Sequence, residues 1–187
     1  MPSENPIQPW PPEVFATERL RACAAQPADA AEAWQTYASD PEVTRFLSWR
    51  THAAIETVAE FFRSLAPVRT AGGDGHYAWV LRQLADDQLV GSIGIVRDGG
   101  KVACGYVIGR RYWSRGYATE ALQAVIGWVW QEPSVQRVWA YCDTENPASA
   151  RVMDKAGLQW EGVLRRWHVC PNLGGELRDC IVCAKVR

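Results

Sequence analysis

The chain predicts an α+β fold: one domain built on a mixed, mostly antiparallel central sheet flanked by helices. Three observations carry this. Tyr77–Leu84, Leu89–Arg97 and Val102–Ile108 are strand-like and joined by the short turns Ala85-Asp86-Asp87-Gln88 and Arg97-Asp98-Gly99-Gly100, an antiparallel meander. Beyond them, Leu122, Val125, Ile126, Val129 and Trp130 recur at helical spacing. An apolar strand, Val135–Cys142, and a second helix start at Asn146-Pro147 complete the pattern. Hairpins first and strand–helix units later make one sheet, not two domains.

The remaining elements follow in order. Alternation over Thr17–Cys23 predicts the first strand. Pro27–Tyr37 is alanine-rich and helical, with proline in the first turn. Asp40-Pro41 opens a short helical segment through Phe46. Thr51 is the expected N-cap of a helix over His52–Leu65, with Pro67 beyond its end. Ala71–Gly75 is a glycine-rich connection. Gly105, inside a strand, predicts a bulge or a close backbone approach. Gly157 is the expected residue just past the helix that starts at Pro147. Two last strands, Gln159–Val169 and Leu177–Val186, flank a loop at Pro171–Gly175. The fold domain is expected over 15–187, after a proline-rich arm over 1–14 without the basic and apolar regions of a signal peptide.

At 187 residues the chain can bury one full core. A formal net charge of −1 argues against nucleic-acid binding and against a polybasic membrane anchor. No apolar run is long enough to span a bilayer. Six cysteines without an export signal predict reduced thiols in the cytoplasm. Cys180 and Cys183 have CxxC spacing, but in a strand residues three apart face opposite sides, so no metal site is expected.

The segment Tyr112-Trp113-Ser114-Arg115-Gly116-Tyr117-Ala118-Thr119 is a glycine turn running into a helix. The first N–H groups of that helix have no intrahelical partners, and the macrodipole adds positive charge there. Such a site suits a phosphate. On the turn alone, an ordinary loop-to-helix junction is the better explanation, because one small turn is a weak motif.

A second helix start, Asn146-Pro147-Ala148-Ser149 leading to Lys155-Ala156-Gly157, lies about thirty residues downstream across one strand. The pair resembles the GNAT superfamily of acyl-CoA N-acyltransferases, in its RimJ/RimL-like branch. Thr17-Glu18-Arg19-Leu20, Asp40-Pro41-Glu42-Val43, Gly105-Tyr106 and Glu161-Gly162-Val163-Leu164-Arg165 are similar to that branch too. The resemblance implies acetyl-CoA as co-substrate and an amine acceptor, either a protein N-terminus or a small molecule, in a cytoplasmic monomer or homodimer. It implies a splay between the fourth and fifth predicted strands, Val102–Ile108 and Val135–Cys142, that takes the pantetheine. Ser114, Arg115, Gly116, Tyr117, Ala118 and Thr119 would hold the diphosphate, Asn146 the pantetheine, and Cys142 would border the thioester. Two departures stand out. Trp113 replaces the family's usual Gln or Arg, and Val102-Ala103-Cys104 lacks the acidic residue often found ahead of Gly105-Tyr106.

Acyl transfer to an amine needs a base for the nucleophile and a proton for the leaving thiolate. By the same resemblance His168 is the candidate base; its ordinary pKa near 6.5 suits the task. Ser149 is the candidate donor to the sulfur, with Tyr106 and Tyr141 as alternatives. As simpler roles, His168 would be a hydrogen-bonded strand histidine and Asn146 and Ser149 helix-start residues. Glu120 is explained by the helix dipole. An acyl-cysteine route through Cys142 ranks below direct attack, because nothing flanking it lowers its pKa. Among ten tryptophans, Trp34, Trp49 and Trp167 belong to segments that would border an acceptor pocket. Two further functions compete: a non-catalytic acyl-CoA-binding regulatory domain, and a phosphate-binding module without CoA.

Overall fold

The computed structural model describes residues 10–71 and 73–187. In chain order its elements are β1 (Val14–Ala16), β2 (Leu20–Ala24), α1 (Ala30–Ala33), α2 (Pro41–Thr44), α3 (Ile55–Ala71), β3 (Gly75–Gln83), β4 (Leu89–Asp98), β5 (Lys101–Ile108), α4 (Tyr117–Val129), β6 (Arg137–Asp143), α5 (Pro147–Lys155), β7 (Gln159–Val169) and β8 (Leu177–Val186). The strands form one sheet in the order β1-β2-β3-β4-β5-β6-β8-β7. Every neighbouring pair is antiparallel except β5–β6, which is parallel. A parallel pair needs a crossover, and α4 supplies it.

Alternation sorts the side chains onto two faces. Leu20, Tyr77, Trp79, Leu81, Ile93, Ile95, Val102 and Cys104 meet Leu122, Val125 and Ile126 of α4 and Met153 of α5. On the opposite face Ala78, Val80 and Leu89 meet Ala33, Tyr37, Val58, Phe62 and Leu65. The sheet is thus the middle of three layers, with α4 and α5 on one side and α1 and α3 on the other.

Several expectations are corrected. The strand expected over Thr17–Cys23 is β2, which starts only at Leu20, and an unexpected strand β1 precedes it, because Thr17 closes a turn between them: its amide donates to the Leu20 carbonyl at 2.8 Å and its hydroxyl accepts from the Leu20 amide at 2.9 Å. The Pro27–Tyr37 helix changes pitch, with a 3-10 turn at Pro27–Asp29, α1, and a π turn at Trp34–Ala38. Thr51 does not cap α3, which starts at Ile55; its amide and hydroxyl turn instead to Asn172. α3 also runs past Pro67 to Ala71, since a helix can continue through proline at the loss of one backbone bond. Gly105 makes no bulge: the β4–β5 register is continuous through Gly94↔Gly105, and a Cβ there would meet open space. The bulges lie elsewhere, between Leu81 and Arg82 and twice in β7.

The starts of α2, α4 and α5 and the end of α5 follow the sequence closely. Gly116 precedes α4 at φ +83°, a left-handed conformation open to glycine. Asp40 caps α2 by accepting from the Glu42 amide at 3.0 Å, and Asn146 caps α5 by accepting from the Ser149 amide at 3.1 Å. At the far end of α5, Gly157 has φ +88°, the Gly157 amide donates to Asp154, and Leu158 donates to Met153, a Schellman closure. Of the proline-rich start, residues 1–9 lie outside the described residues. Trp10 packs edge-on against Tyr77 and Trp128, and Pro12 accepts from the Trp79 indole at 2.8 Å.

Leu122 is fully buried where α4 meets the sheet. Leu122→Ala is expected to cost about 2–5 kcal/mol, whereas Val14→Ala on the exposed edge should stay within about 0.5 kcal/mol. Urea unfolding of both variants measures the contrast.

Candidate active site

β5 and β6 pair only at Lys101↔Arg137, Val102↔Val138 and Ala103↔Trp139. Beyond Ala103 the two strands part, so the expected splay lies between β5 and β6. The residues past the split have backbone groups turned toward the gap. Glycine at 105 leaves it clear of a side chain on the α1–α3 face.

The two helix N-termini meet this opening. The turn before α4 leaves Ser114, Arg115 and Gly116 exposed, with Ser114 at φ +61°. Trp113, at the position of the family's usual polar residue, donates its indole N–H to the Ile108 carbonyl at 2.6 Å and so ties the turn to the end of β5. Glu120 does more than complement a dipole. Its carboxylate accepts from the Thr17 hydroxyl at 2.5 Å, the Arg19 amide at 2.8 Å and Arg19 Nε at 2.7 Å. The same guanidinium donates to the Arg115 carbonyl at 3.0 Å and covers the Tyr117 ring at 4.9 Å. Burial opposes ionisation of Glu120, but the Thr17 and Arg19 bonds outweigh it and hold the carboxyl below its usual range. On the flank of this turn a cleft of ≈ 400 Å³ is lined by Glu18, Arg19, Gln83, Leu84, Ala85 and Tyr117, away from the splay.

At the second N-terminus Ser149 is brought to Tyr106. The phenol oxygen of Tyr106, on β5, lies 2.8 Å from Ser149 Oγ and donates to the Ser149 carbonyl at 3.2 Å. Burial pushes the phenol pKa well up. Cys142 is on the same face and points its thiol at the Asn146 carbonyl, 3.7 Å away. Burial pushes that thiol up to about 12. Cys104, where the family often has an acid, is likewise pushed up to about 12 by burial.

His168 lies on the other face. Its Nδ1 is 3.2 Å from the Tyr141 hydroxyl, with the rings edge-to-face at 5.0 Å. Tyr141 and Cys142 are neighbours on β6 and point to opposite sides. Ser149 and His168 therefore flank the splay from opposite faces, with no hydrogen bond between them. Burial lowers the His168 pKa, partly countered by the charge of Asp143. His52 and His76 are engaged elsewhere, His52 with Thr57 and under Trp49, His76 beside Phe61.

Sequence reasoning passed over three residues. Asp143 ends β6 and is buried; it accepts from Arg178 Nη2 at 3.1 Å, from Arg178 Nε, and from the Glu145 amide at 2.8 Å. Burial disfavours its charge, yet the Arg178 and Glu145 bonds prevail and keep its pKa below the usual carboxylate range. Asn172, in the β7–β8 loop, donates to the Thr44 and Trp49 carbonyls at 2.7 and 2.9 Å and accepts from the Thr51 amide at 3.1 Å. It clasps the α2–α3 segment to the β7–β8 loop. There Trp34 donates to the His52 carbonyl and Trp49 stacks on His52, while Trp167 is 51% exposed on β7. The signal for Asp143 was its place three residues before Asn146; nothing local marked Arg178 or Asn172.

A splay in a mixed sheet, with a helix N-terminus on either side of it, defines an acyltransferase architecture. Residues 19–159 match the acetyltransferase (GNAT) domain family, and the chain belongs to that family of enzymes. It is 27% identical over 156 residues to an uncharacterized N-acetyltransferase, p20, of Bacillus licheniformis, covering 82% of this chain and 86% of that one. Among solved structures it is similar to RimL, the ribosomal L7/L12 alpha-N-protein acetyltransferase in complex with coenzyme A. The TM-score is 0.82 at 16% identity, over 93% of this chain and 98% of that one. It is also similar to MccE, the microcin C7 self-immunity acetyltransferase in complex with acetyl-CoA and AMP. There the TM-score is 0.80 at 15% identity, over 91% and 93%. No helix among the described residues is long and apolar enough to cross a membrane.

Asp143 and Glu120 both have folded-state pKa values below the ordinary range. Their stabilisation is complete above the unfolded value of about 4 and is lost as pH falls through the folded values. The urea midpoint should therefore drop as pH is lowered from about 4, and Asp143→Asn should flatten that decline.

Proposed function

We propose that the chain transfers an acetyl group from acetyl-CoA to a primary amine, a protein N-terminal α-amine or a small molecule, by direct attack. One observation carries the reading: the parallel β5–β6 pairing stops at Ala103, and the gap beyond it is flanked by two helix N-termini. The residues fit the donor. The amides of Ser114, Arg115, Gly116, Tyr117, Ala118 and Thr119 suit its diphosphate. The unpaired edges of β5 and β6 suit the pantetheine amides, with Asn146 and Cys142 bordering its path. RimL and MccE, similar in fold, are known with coenzyme A and acetyl-CoA.

Bound acetyl-CoA supplies a thioester carbonyl open to attack. His168, whose pKa burial lowers, accepts the amine proton from the α1–α3 side. Tyr106 and Ser149 hold a proton on the α4–α5 side, where a thiolate leaves; burial keeps the phenol protonated. Cys142 stays a thiol and lines the path without becoming a nucleophile. A single acyltransferase unit over 15–187 in a reducing cytoplasm suits six cysteines that are all free thiols.

Acetyl-CoA at 100 times its Kd should stabilise the protein by about 2.7 kcal/mol, read by thermal melting. Free-thiol release with a panel of amines and N-terminal peptides then identifies the acceptor. Stabilisation without thiol release from any amine would instead mean a non-catalytic acyl-CoA-binding domain, and no stabilisation a phosphate-binding module. His168→Ala should lower the rate roughly 10²–10⁴-fold and abolish the acidic limb of the pH–rate profile; a variant that keeps the limb removes His168 as the base.

A further inference from the structure

We infer that Asp143 is a positioning residue that fixes Ser149 and His168 relative to each other across the sheet, an inference that rests on the acyl-transfer reading above. On one side Asp143 builds the turn that launches α5. Its carboxylate takes the Glu145 amide at 2.8 Å, and its carbonyl takes the Asn146 amide at 2.9 Å. Asn146 in turn caps α5 on the Ser149 amide, and Ser149 meets Tyr106. On the other side the same carboxylate is gripped by both arms of the Arg178 guanidinium. Arg178 is the cross-strand partner of His168 in the β7–β8 ladder. One buried carboxylate thus joins the first turn of α5 to the residue opposite the base.

Further bonds tighten the same point. Arg178 also reaches Glu145 at 2.9 Å, and Thr144 donates to the Asp179 carbonyl at 3.0 Å. The Cys170 thiol, from the β7–β8 loop, lies 4.0 Å from the carboxylate. A buried ion pair adds little net stability over an apolar pair of like volume, because its desolvation cost offsets its attraction. What the planar, two-point Arg–carboxylate contact supplies is a fixed geometry. Around His168 stand the Tyr141 hydroxyl from β6, its cross-strand partner Arg178 on β8, and the Asp143 charge at the end of β6. Asp143 favours the protonated imidazole, so loss of its charge moves the histidine's titration down.

Asp143→Asn keeps an oxygen for the Glu145 amide and removes the charge. It is expected to lower kcat roughly ten- to a hundredfold, with the KM for acetyl-CoA changed by less than about twofold. It should also carry the acidic limb of the pH–rate profile to lower pH. Arg178→Lys keeps a positive charge and loses the two-point fork; it should lower kcat while the limb stays near its wild-type position. A limb unmoved in Asp143→Asn, or wild-type kcat in Arg178→Lys, overturns the inference. The two levels separate cleanly. If His168→Ala keeps the limb, the base assignment fails and this inference with it. If His168→Ala loses the limb while Asp143→Asn keeps both kcat and the limb position, the positioning role alone fails.

Discussion

The candidate site depends on where one parallel strand pair stops. Three register pairs hold β5 to β6, and none follows Ala103. Parallel neighbours must be joined by a crossover, so the helix between them starts at the end of β5 where the gap opens. The end of β6 runs into α5 at the same opening. Two helix N-termini and two unpaired strand edges converge as a consequence of topology, with no charged side chain needed to assemble them. The contacts of Glu120 with Thr17 and Arg19 then fasten the first of those termini to the turn between β1 and β2.

The sheet also divides the chemistry. Buried groups on the α4–α5 side, Tyr106 and Cys142, have their deprotonated forms suppressed, which suits holding a proton and not attacking with a thiolate. On the other side burial has the opposite consequence for His168, because its charged form is the protonated one. The same desolvation therefore favours the protonated form of the phenol and thiol on one face and the deprotonated form of the imidazole on the other. On that same face the Asn172 clasp ties α2–α3 to the β7–β8 loop.

Much of this was legible in local pattern. The meander, the glycine turn before α4, the Asn146 cap and the Gly157 stop are decided within a few residues by backbone geometry and side-chain capping, and they fall where the sequence indicates. Thr51 misled because a tertiary partner 121 residues away, Asn172, takes the groups a cap would use. The expected first strand began three residues late, after a turn closed by Thr17, which alternation alone does not reveal. Asp143 lies three residues ahead of the Asn146 helix start, but its guanidinium partner comes from another strand 35 residues later. For Ser149 and His168, the residues were nameable from resemblance, while their separation onto opposite faces emerges only when Tyr141 and Cys142 are placed on β6.

β7 is the outer strand of the sheet, and it carries Trp160 and Trp167 at 67% and 51% exposure. A straight apolar edge of eleven residues would be a template for a neighbouring chain's strand. This edge is broken twice, between Trp160 and Gly162 and between Leu164 and His168, and Arg166 adopts φ +47° in the second break. Each break bends the strand and rotates its free amides and carbonyls out of line. The domain can thus expose large aromatic side chains on an outer strand without offering the ladder on which cross-β stacking grows.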